Sequence, residues 1–511
     1  MKAKLVFPPP SKKYGGITWG TEDLVNPPQS GIEVLAAVAR QHFPDADISC
    51  ISDSVASGMS AEDYAFSYRT VDDVVESCAD ADVVGVSVWF HNLESGLELA
   101  RKLKEIDLGK RVVLGSYGVS NPLIARLVLE QHPAVDYIAR GDGEETIVGI
   151  LRGFSPQQIP NLFYRVDGKV MTGPSRPFNL NRRPRWDFTH TQNYAAIMEG
   201  YDSRTRLFGE LRKGSGGSFI GRIGVQFTTG CEKAEQEGPC AYCTSQRTTT
   251  QSMLAERFWG QIGHLYSTHG ITEYFLCDDI AATLPKLRAL SEARKKASLP
   301  DNLQFRAYGY APYFTPEDST EMIRLLREVG IINLFLGIEN FSPEVNSKSH
   351  KRAYGYPKIE NLIGSLTENK VDVFLPLIVG MPGESEETLR YNADCLDRIL
   401  DRHAKKTYGE GGIVRVDLSG GMPLRGTPWY NNLARDREVQ EFYLKKTGMP
   451  LQKDIDPDYT TLREASAIYV EPMGVSPQRL NDHFNELSKI CLRYLRPQQI
   501  GGFDFQPEMK T

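Results

Sequence analysis

The sequence predicts an α/β protein built from two successive series of strands and helices and a helical C-terminal region. In each series, short apolar segments alternate with amphipathic segments of about 10–15 residues. Apolar strands connected by helices are typical of right-handed βαβ units, and therefore of parallel sheets. We expect a doubly wound, Rossmann-like domain over residues 1–152, a linker region over 153–215, a partial (β/α)6 barrel over 216–430 and a helical region over 431–511.

The first series lies within residues 1–152. Its predicted strands are Lys4–Phe7, Asp82–Val88, Arg111–Gly115 and Val135–Ala139. Its predicted helices are Ser30–His42, Leu93–Ile106 and Pro122–Gln131. Ligands of such sheets bind beyond the carboxyl ends of the strands. The loops at those ends, which include Trp89–Asn92, are therefore candidate binding segments.

The second series begins near Gly221, after a segment whose prolines and polar residues predict a linker with a small hairpin around Leu162–Val170. Its predicted strands are Val225–Thr229, Tyr274–Cys277, Gln304–Tyr308, Asn333–Ile338, Val371–Val379 and Ile413–Leu418. Helices between them include Pro285–Lys296, Glu321–Val329 and Glu386–Ile399. This pattern predicts a partial barrel, whose active site would lie at the carboxyl ends of the strands.

Composition limits the classes of function. Of 511 residues, 41% are hydrophobic, which is enough for more than one buried core. The 59 Lys and Arg residues against 65 Asp and Glu give a net charge of −6, so no global basic field favours nucleic acid or an anionic membrane. No segment resembles a signal peptide or reaches the roughly 18 apolar residues of a membrane span. We therefore expect a cytoplasmic protein that binds neither nucleic acid nor membranes.

Three of the eight cysteines lie close together in the sequence. Cys231, Cys240 and Cys243 fall within thirteen residues, on the loop after the first predicted barrel strand, in TTGCEKAEQEGPCAYCTSQR. In a reducing compartment such a group more often holds metal or does redox chemistry than forms disulfides. Three thiolates are one ligand short of a closed zinc site, and no histidine at zinc-finger spacing supplies it. They suit an iron–sulfur cluster with one open iron, with zinc and unliganded thiols as the alternatives.

With these residues the chain resembles the radical S-adenosylmethionine (SAM) enzymes, in particular the group with an N-terminal cobalamin-binding-type domain. In that family three cysteines after barrel strand 1 hold a [4Fe–4S] cluster in the spacing C-x3-C-x2-C. An aromatic residue precedes the last cysteine, and here it is Tyr242. The present spacing is C-x8-C-x2-C. A longer first gap also occurs in relatives that modify ribosomally made peptides, so the resemblance implies a specialised branch.

The resemblance covers roughly residues 1–430 and implies which strand ends bind SAM. The segments FLCDDI, FRAYGY, LFLGIENFSPEV, FLPLIVGMPGESEET and VDLSGGMPLRGTPWY are similar to barrel strands 2 to 6 in order. The methionine part of SAM would face Asp278, Asp279, Arg306, Glu339 and Asn340. The adenine would meet backbone that begins at Val379 and Gly380. An α-amino acid needs carboxylates for its ammonium and a cation for its carboxylate; the alternative for each residue is ordinary solvation at a strand end.

The chemistry that the resemblance implies begins with reductive cleavage of SAM to a 5′-deoxyadenosyl radical, with a flavodoxin- or ferredoxin-type electron donor. The radical then abstracts hydrogen from an unactivated carbon of a peptide or another natural product. The outcome we favour from the sequence is epimerisation, in which a thiol returns hydrogen to the substrate radical. Cys277, at the end of the second barrel strand, is the predicted catalytic donor, although a free cysteine is often a small buried hydrophobe. Cys395 is a rival on a predicted outer helix.

Methyl transfer from cobalamin is the alternative outcome, and it is common among relatives with this N-terminal domain. Trp89, at a strand end, would pack over the corrin face, or else serve domain packing. The sequence PPPSKKYGGITWG stands where a D-x-H-x-x-G motif would follow the first strand, so no histidine is offered as a lower axial ligand. Cobalamin is therefore a possible cofactor rather than a required one. A non-catalytic binding protein is the least favoured reading.

Overall fold

The computed structural model describes residues 1–9, 11, 30–52, 70–192, 194, 223–244, 249–404, 412–470, 475–495 and 500–501 of the chain. These residues form two compact units. The described residues up to 194, together with Gln261–Gly270, make the first unit, and the other described residues from 223 onward make the second. No helix in these described ranges is long and apolar enough to cross a membrane.

The first unit is a seven-stranded sheet with helices between its parallel strands. Its strands are β1 (Lys2–Val6), β2 (Asp47–Ile51), β3 (Val83–Ser87), β4 (Arg111–Gly115), β5 (Tyr137–Ala139), β6 (Leu162–Val166) and β7 (Lys169–Thr172). Its helices are α1 (Ser30–His42), α2 (Val71–Cys78), α3 (Leu93–Ile106), α4 (Pro122–Gln131) and α5 (Glu144–Leu151). The strand order is β2-β1-β3-β4-β5-β6-β7, with β1 to β5 parallel. This order, which reverses direction between β1 and β3, confirms the predicted doubly wound fold.

A hairpin of this sheet falls in the segment that the sequence analysis assigned to a linker. Strands β6 and β7 are antiparallel to each other, and β6 pairs antiparallel with β5. The two-residue turn between them is Asp167–Gly168, with φ of 48° and 74°, as a tight hairpin turn requires. Leu162 and Tyr164 are buried in the core of the unit. The linker prediction is therefore wrong over this hairpin, because its apolar side chains complete a core; residues 195–215 lie outside the described residues.

The second unit contains a second parallel sheet. The strands of this unit are β8 (Ile223–Val225), β9 (Thr228–Thr229), β10 (Gln251–Ser252), β11 (Glu273–Leu276), β12 (Gln304–Tyr310), β13 (Ile331–Gly337), β14 (Asp372–Val379), β15 (Val414–Gly420) and β16 (Ile500–Gly501). Strands β9 and β10 form a separate antiparallel pair. The main sheet has the order β16-β15-β14-β13-β12-β11-β8, and all its neighbours are parallel. Five of the predicted strands are present in the predicted order. The first, Val225–Thr229, is divided between β8, which ends at Val225, and β9, which pairs with β10 outside the main sheet, and the two-residue β16 was not predicted.

Helices alternate with these strands and then form the C-terminal region. They are α6 (Glu232–Glu237), α7 (Ala255–His269), α8 (Leu284–Lys296), α9 (Ser319–Val329), α10 (Pro343–Lys348), α11 (Tyr356–Glu368), α12 (Glu386–His403), α13 (Pro428–Leu433), α14 (Arg437–Thr447), α15 (Tyr459–Ala465) and α16 (Pro477–Tyr494). This confirms the partial barrel followed by a helical C-terminal region. Because every strand of the main sheet is parallel, their carboxyl ends lie at one edge, where the candidate site is found.

The two faces of the barrel sheet differ in chemistry. One face carries fully buried aliphatic side chains such as Leu334 and Val373. The other carries a row of aromatic rings across four strands, formed by Phe275, Tyr308, Phe335 and Phe374. Neighbouring ring centroids in this row are 5.1–5.2 Å apart. The row fills the interior below the carboxyl ends of the strands.

Candidate active site

The cysteine loop begins where a short antiparallel pair follows the first barrel strand. Strand β9 pairs with β10, and Gly230 follows β9 with φ of 82°. A Cβ atom at Gly230 would lie 2.2 Å from the backbone oxygen of Thr249. Only glycine fits both this dihedral angle and this close approach. The turn delivers Cys231 directly to the start of helix α6.

The long first gap of the cysteine motif folds as helix α6. Cys231 occupies the N-cap of this helix, and the chain leaves it at Gly238, with φ of 82°. Backbone N–H groups of Ala234 and Lys233 hydrogen-bond to the Cys231 sulfur, which opposes the increase in its thiol pKa that burial causes. Six of the eight residues between Cys231 and Cys240 therefore form a helix, and the long gap of the motif has regular structure.

Two other segments hold the remainder of the cysteine loop in place. The N–H of Ala241 donates to the carbonyl of Ser349 at 3.0 Å, and its carbonyl accepts from the N–H of Trp429 at 2.9 Å. The buried Lys233 donates to the carbonyl of Gly238 at 2.7 Å and also to that of His350. The loop is therefore fixed to the connection between α10 and α11 and to the start of α13.

The three cysteines act electrostatically on one buried residue, Lys351. All three are half-buried and none is in a disulfide. In the described ranges, no group of three or more Cys, His, Asp or Glu side chains is arranged to hold a metal ion as it stands. Burial lowers the pKa of Lys351 to about 8, while negative charge on Cys240, Cys243 and Cys231 acts in the opposite direction. Three half-buried thiols without a disulfide partner, one of them receiving backbone N–H bonds, are a donor set that fits a cluster with three cysteine ligands.

The two aspartates at the end of β11 have different environments. Asp278 is fully buried, and its Oδ1 accepts the N–H groups of Phe227 and Thr228 at 2.8 and 3.0 Å. Its Oδ2 lies 3.8 Å from Nζ of the buried Lys286. Burial raises the pKa of Asp278 to about 6, against the effect of Lys286. Asp278 therefore ties the break between β8 and β9 to the end of β11, whereas the charge of the half-buried Asp279 acts on Cys231.

Replacing these aspartates separately should distinguish the two roles. Asp278→Ala leaves two buried backbone N–H groups without their acceptor, and we expect it to destabilise the protein by about 2–5 kcal/mol. Asp279→Ala changes a half-buried residue and should cost less, about 1 kcal/mol or below. Unfolding in denaturant checks both variants. Equal stability losses in the two variants would contradict the structural role of Asp278.

Arg306 does not meet the cysteines in this structure. It lies four residues before Tyr310, the last residue of β12, and Tyr308 lies between them on the same strand. Its guanidinium packs between the rings of Phe374 and Phe275, at 5.0 and 5.7 Å from their centroids. A residue this deep in the barrel supports the aromatic row. Its predicted contact with the methionine carboxylate has no support from this position.

Glu339, two residues after the end of β13, has unusual backbone geometry. Glu339 has φ of 50°, which is uncommon for a residue other than glycine, and its carboxylate forms an ion pair with Lys351. The next residue, Asn340, is fully buried, and both polar atoms of its side chain form hydrogen bonds within the protein. Its Nδ2 donates to Glu384 at 3.0 Å and its Oδ1 accepts the N–H of Ser342 at 2.9 Å. Glu339 thus reaches the cysteine site, while Asn340 serves as a structural link.

The predicted adenine segment is held by a glutamate that the sequence analysis did not single out. Gly380 has φ of 90°, and its N–H donates to Oε2 of Glu384 at 2.8 Å. The carbonyl of Val379 accepts the N–H of Gly421 at 2.7 Å. Burial raises the pKa of Glu384 to about 8, although the N–H groups of Gly380 and Met381 favour its charged form. These polar backbone atoms of Val379 and Gly380 therefore stabilise the strand-end loop.

Cys277 lies at the carboxyl end of β11, as predicted, and its thiol is accessible. Burial nevertheless raises its thiol pKa to about 12, and the charge of Asp278 adds to the increase. The thiol stays protonated at neutral pH, which is the form that donates a hydrogen atom. The rival Cys395 is buried on α12.

Trp89 follows β3 in the first unit and is 37% exposed. Its ring contacts that of Tyr117 edge-on, at a centroid distance of 5.3 Å, and Tyr117 follows β4 and is itself exposed. The N–H of Gly118 donates to the carbonyl of Val88 at 2.8 Å and holds the two loops together. Trp89 and Tyr117 thus form an accessible aromatic pair at the carboxyl edge of the sheet, beside the point where strand order reverses.

Comparison with known proteins identifies the class. Residues 225–396 match the model of the radical SAM superfamily. The chain is 22% identical over 417 residues to 2-(S-pantetheinyl)-carbapenam-3-carboxylate methyltransferase of Streptantibioticus cattleyicolor, covering 78% of this chain and 56% of that relative. It is 22% identical over 397 residues to the anaerobic magnesium-protoporphyrin IX monomethyl ester cyclase of Cereibacter sphaeroides, covering 73% and 56%.

A solved structure matches nearly the whole chain. TsrM of Kitasatospora setae, a radical SAM methyltransferase solved with cobalamin and a [4Fe–4S] cluster bound, covers 100% of this chain and 92% of its own at a TM-score of 0.62 and 14% identity. Residues 225–396 therefore form a radical SAM domain, a type of domain whose cofactors are a [4Fe–4S] cluster and SAM, and the first unit has the fold expected of a cobalamin-binding-type domain. It spans about half the length of the curated relatives that it matches.

Proposed function

We propose that this protein is a cobalamin-dependent radical SAM enzyme that transfers a methyl group to an unactivated carbon of a peptide or small natural product. The observation that carries the proposal is that the chain contains two parallel sheets, each with residues suited to bind a cofactor at the carboxyl ends of its strands. One sheet bears the cysteine loop, and the other, which is doubly wound, bears an exposed aromatic pair. The relatives compared above include methyltransferases, and the epimerisation favoured from the sequence has no counterpart among them.

In this proposal Cys231, Cys240 and Cys243 hold the cluster, with SAM on its open iron. When bound, these cofactors supply reductive cleavage of SAM to a 5′-deoxyadenosyl radical, and cobalamin carries the methyl group. Glu339 and Asp279 are the acidic side chains that the structure brings to the cysteine site. They are the candidates to bind the ammonium of SAM, and the aromatic row of the barrel interior supplies a surface that excludes water.

The aromatic pair of the first unit supports the cobalamin assignment. Ligands of sheets in this strand order bind beside the reversal point, between β1 and β3. Trp89 stands at the end of β3, so its exposed ring offers a flat apolar surface to a corrin face. The nearby His91 is buried, and burial lowers its pKa to about 4, so its imidazole is uncharged at neutral pH. Trp89 would therefore hold the corrin through its exposed ring, and His91 would remain a buried, uncharged neighbour.

Substitution of Trp89 tests this part of the proposal. Trp89→Ala should weaken binding of hydroxocobalamin about tenfold, which is about 1.4 kcal/mol of lost contact. Phe154→Ala is the matched control, because Phe154 is an exposed aromatic residue of the same unit that follows α5. Equilibrium dialysis of the full chain measures both affinities. A wild-type protein that binds no cobalamin would contradict the proposal, and equal affinity in Trp89→Ala would remove Trp89 from the site.

The accessible thiol of Cys277 favours a second candidate, epimerisation of a peptide. Cys277 is exposed, its thiol is protonated at neutral pH and it lies at the carboxyl end of β11, which suits a donor that returns hydrogen to a substrate radical. In either reaction we propose a flavodoxin- or ferredoxin-type protein as the electron donor.

A further inference from the structure

Lys351 is a buried lysine at the cysteine site. Its side chain is 6% exposed and forms an ion pair with Glu339. The ammonium also donates to the carbonyl of Gly337 at 3.1 Å and lies 5.2 Å from the ring centroid of Tyr310. Lysine is almost never fully buried without a partner. The ion pair between Lys351 and Glu339 is therefore what allows a lysine to be buried at this site.

Backbone and side-chain bonds on both sides of Lys351 fix it against the cysteine loop. The carbonyls of Ser349 and His350 accept hydrogen bonds from Ala241 and Lys233 of that loop. On the other side, Arg352 forms an ion pair with Glu237 of helix α6. These contacts hold the chain at Lys351 against the cysteine loop.

The geometry points to a role for this ion pair: Lys351 and Glu339 set the reduction potential of a cluster held by Cys231, Cys240 and Cys243. The inference rests on the proposed function, because it requires the cluster. A cluster gains one negative charge when it takes an electron, so a nearby cation favours the reduced form and a nearby anion favours the oxidised form. The pair is nearly buried, so dissolved salt screens it little. Lys351 is a positioning residue in this role, since it acts through the cluster.

Variants of the two partners should shift the potential in opposite directions. Each full-length protein is reconstituted anaerobically with iron and sulfide, and the electron paramagnetic resonance signal of the reduced cluster is followed against applied potential without SAM. Lys351→Met leaves Glu339 unpaired and should lower the ratio of reduced to oxidised cluster about tenfold at a fixed potential, which is about 59 mV for one electron. Glu339→Gln leaves Lys351 unpaired and should raise that ratio by a similar factor.

Two further variants serve as controls. Lys351→Arg keeps the charge and should keep the wild-type ratio, and Lys358→Met removes an exposed lysine of α11 and should change nothing. Shifts in the same direction for Lys351→Met and Glu339→Gln, or no shift in either, would overturn the inference. If Lys351→Met does not fold, Glu339→Gln decides alone, and an unchanged or lowered ratio refutes the inference. Absence of a cluster in the wild type would instead refute the proposed function.

Discussion

Replacing Cys231, Cys240 and Cys243 with alanine is expected to abolish the brown chromophore of the reconstituted protein and all formation of 5′-deoxyadenosine. The three cysteines are half-buried, have no disulfide partner and lie on a loop that Gly230 and the contacts of Ala241 hold in place. Removing them takes away all the cysteine ligands of the site, so a partial effect is not expected. Iron content, visible absorbance and chromatography of the SAM cleavage products measure the result.

Cys277→Ala is the matched control for this prediction. Cys277 is also accessible and belongs to the same unit, but it lies at the end of β11 and is not on the cysteine loop. It should keep the chromophore and the formation of 5′-deoxyadenosine. Deoxyadenosine production that survived in the triple variant would show that the cluster is held elsewhere or is absent from the reaction.

Omitting cobalamin is expected to abolish formation of S-adenosylhomocysteine while 5′-deoxyadenosine continues to form. Methyl transfer uses one SAM as the methyl donor, which leaves S-adenosylhomocysteine, and a second SAM as the source of the radical. The methylated product gains one methylene in mass. Product analysis by mass spectrometry, with and without hydroxocobalamin, measures all three quantities.

Epimerisation predicts a different pattern in the same experiment. If Cys277 returns hydrogen to the substrate radical, turnover in deuterium oxide should place one deuterium in the product, because thiols exchange with solvent and carbon-bound hydrogens do not. Cys277→Ala would then form deoxyadenosine without the correct product. One deuterium in the product, no S-adenosylhomocysteine and no requirement for cobalamin would contradict methyl transfer.

Local sequence signals were sufficient to predict most of the secondary structure. Helix α4 has its predicted bounds because Asn121 caps it and Pro122 occupies its first turn, both of which are visible in the sequence. Strand β2 and helix α2 were not predicted. In the sequence DISCI of β2, two polar residues interrupt the apolar run, as an edge strand allows. The hairpin around Leu162–Val170 was predicted but assigned to a linker, because its pairing with β5 and the burial of Leu162 and Tyr164 depend on contacts outside the segment.

The candidate site was predictable only as far as its residues are close in sequence. The spacing of Cys231, Cys240 and Cys243 and the strand ends identified the loop and the edge of the sheet. The contacts of Lys351 and Glu384 depend on segments that fold together from distant parts of the chain; Lys233 meets His350 across 117 residues. Asp278 was assigned to SAM, yet its carboxylate is taken by backbone donors that no sequence pattern reveals.

The effect of SAM on the electron paramagnetic resonance spectrum of the reduced wild-type protein tests the central claim most directly. If the cysteine loop holds a [4Fe–4S] cluster with one open iron, SAM binds to that iron and changes the spectrum of the reduced cluster. The account predicts a cluster signal without SAM and a clearly different signal when SAM is added. A protein that shows no cluster signal after anaerobic reconstitution, or a signal that SAM leaves unchanged, would contradict it.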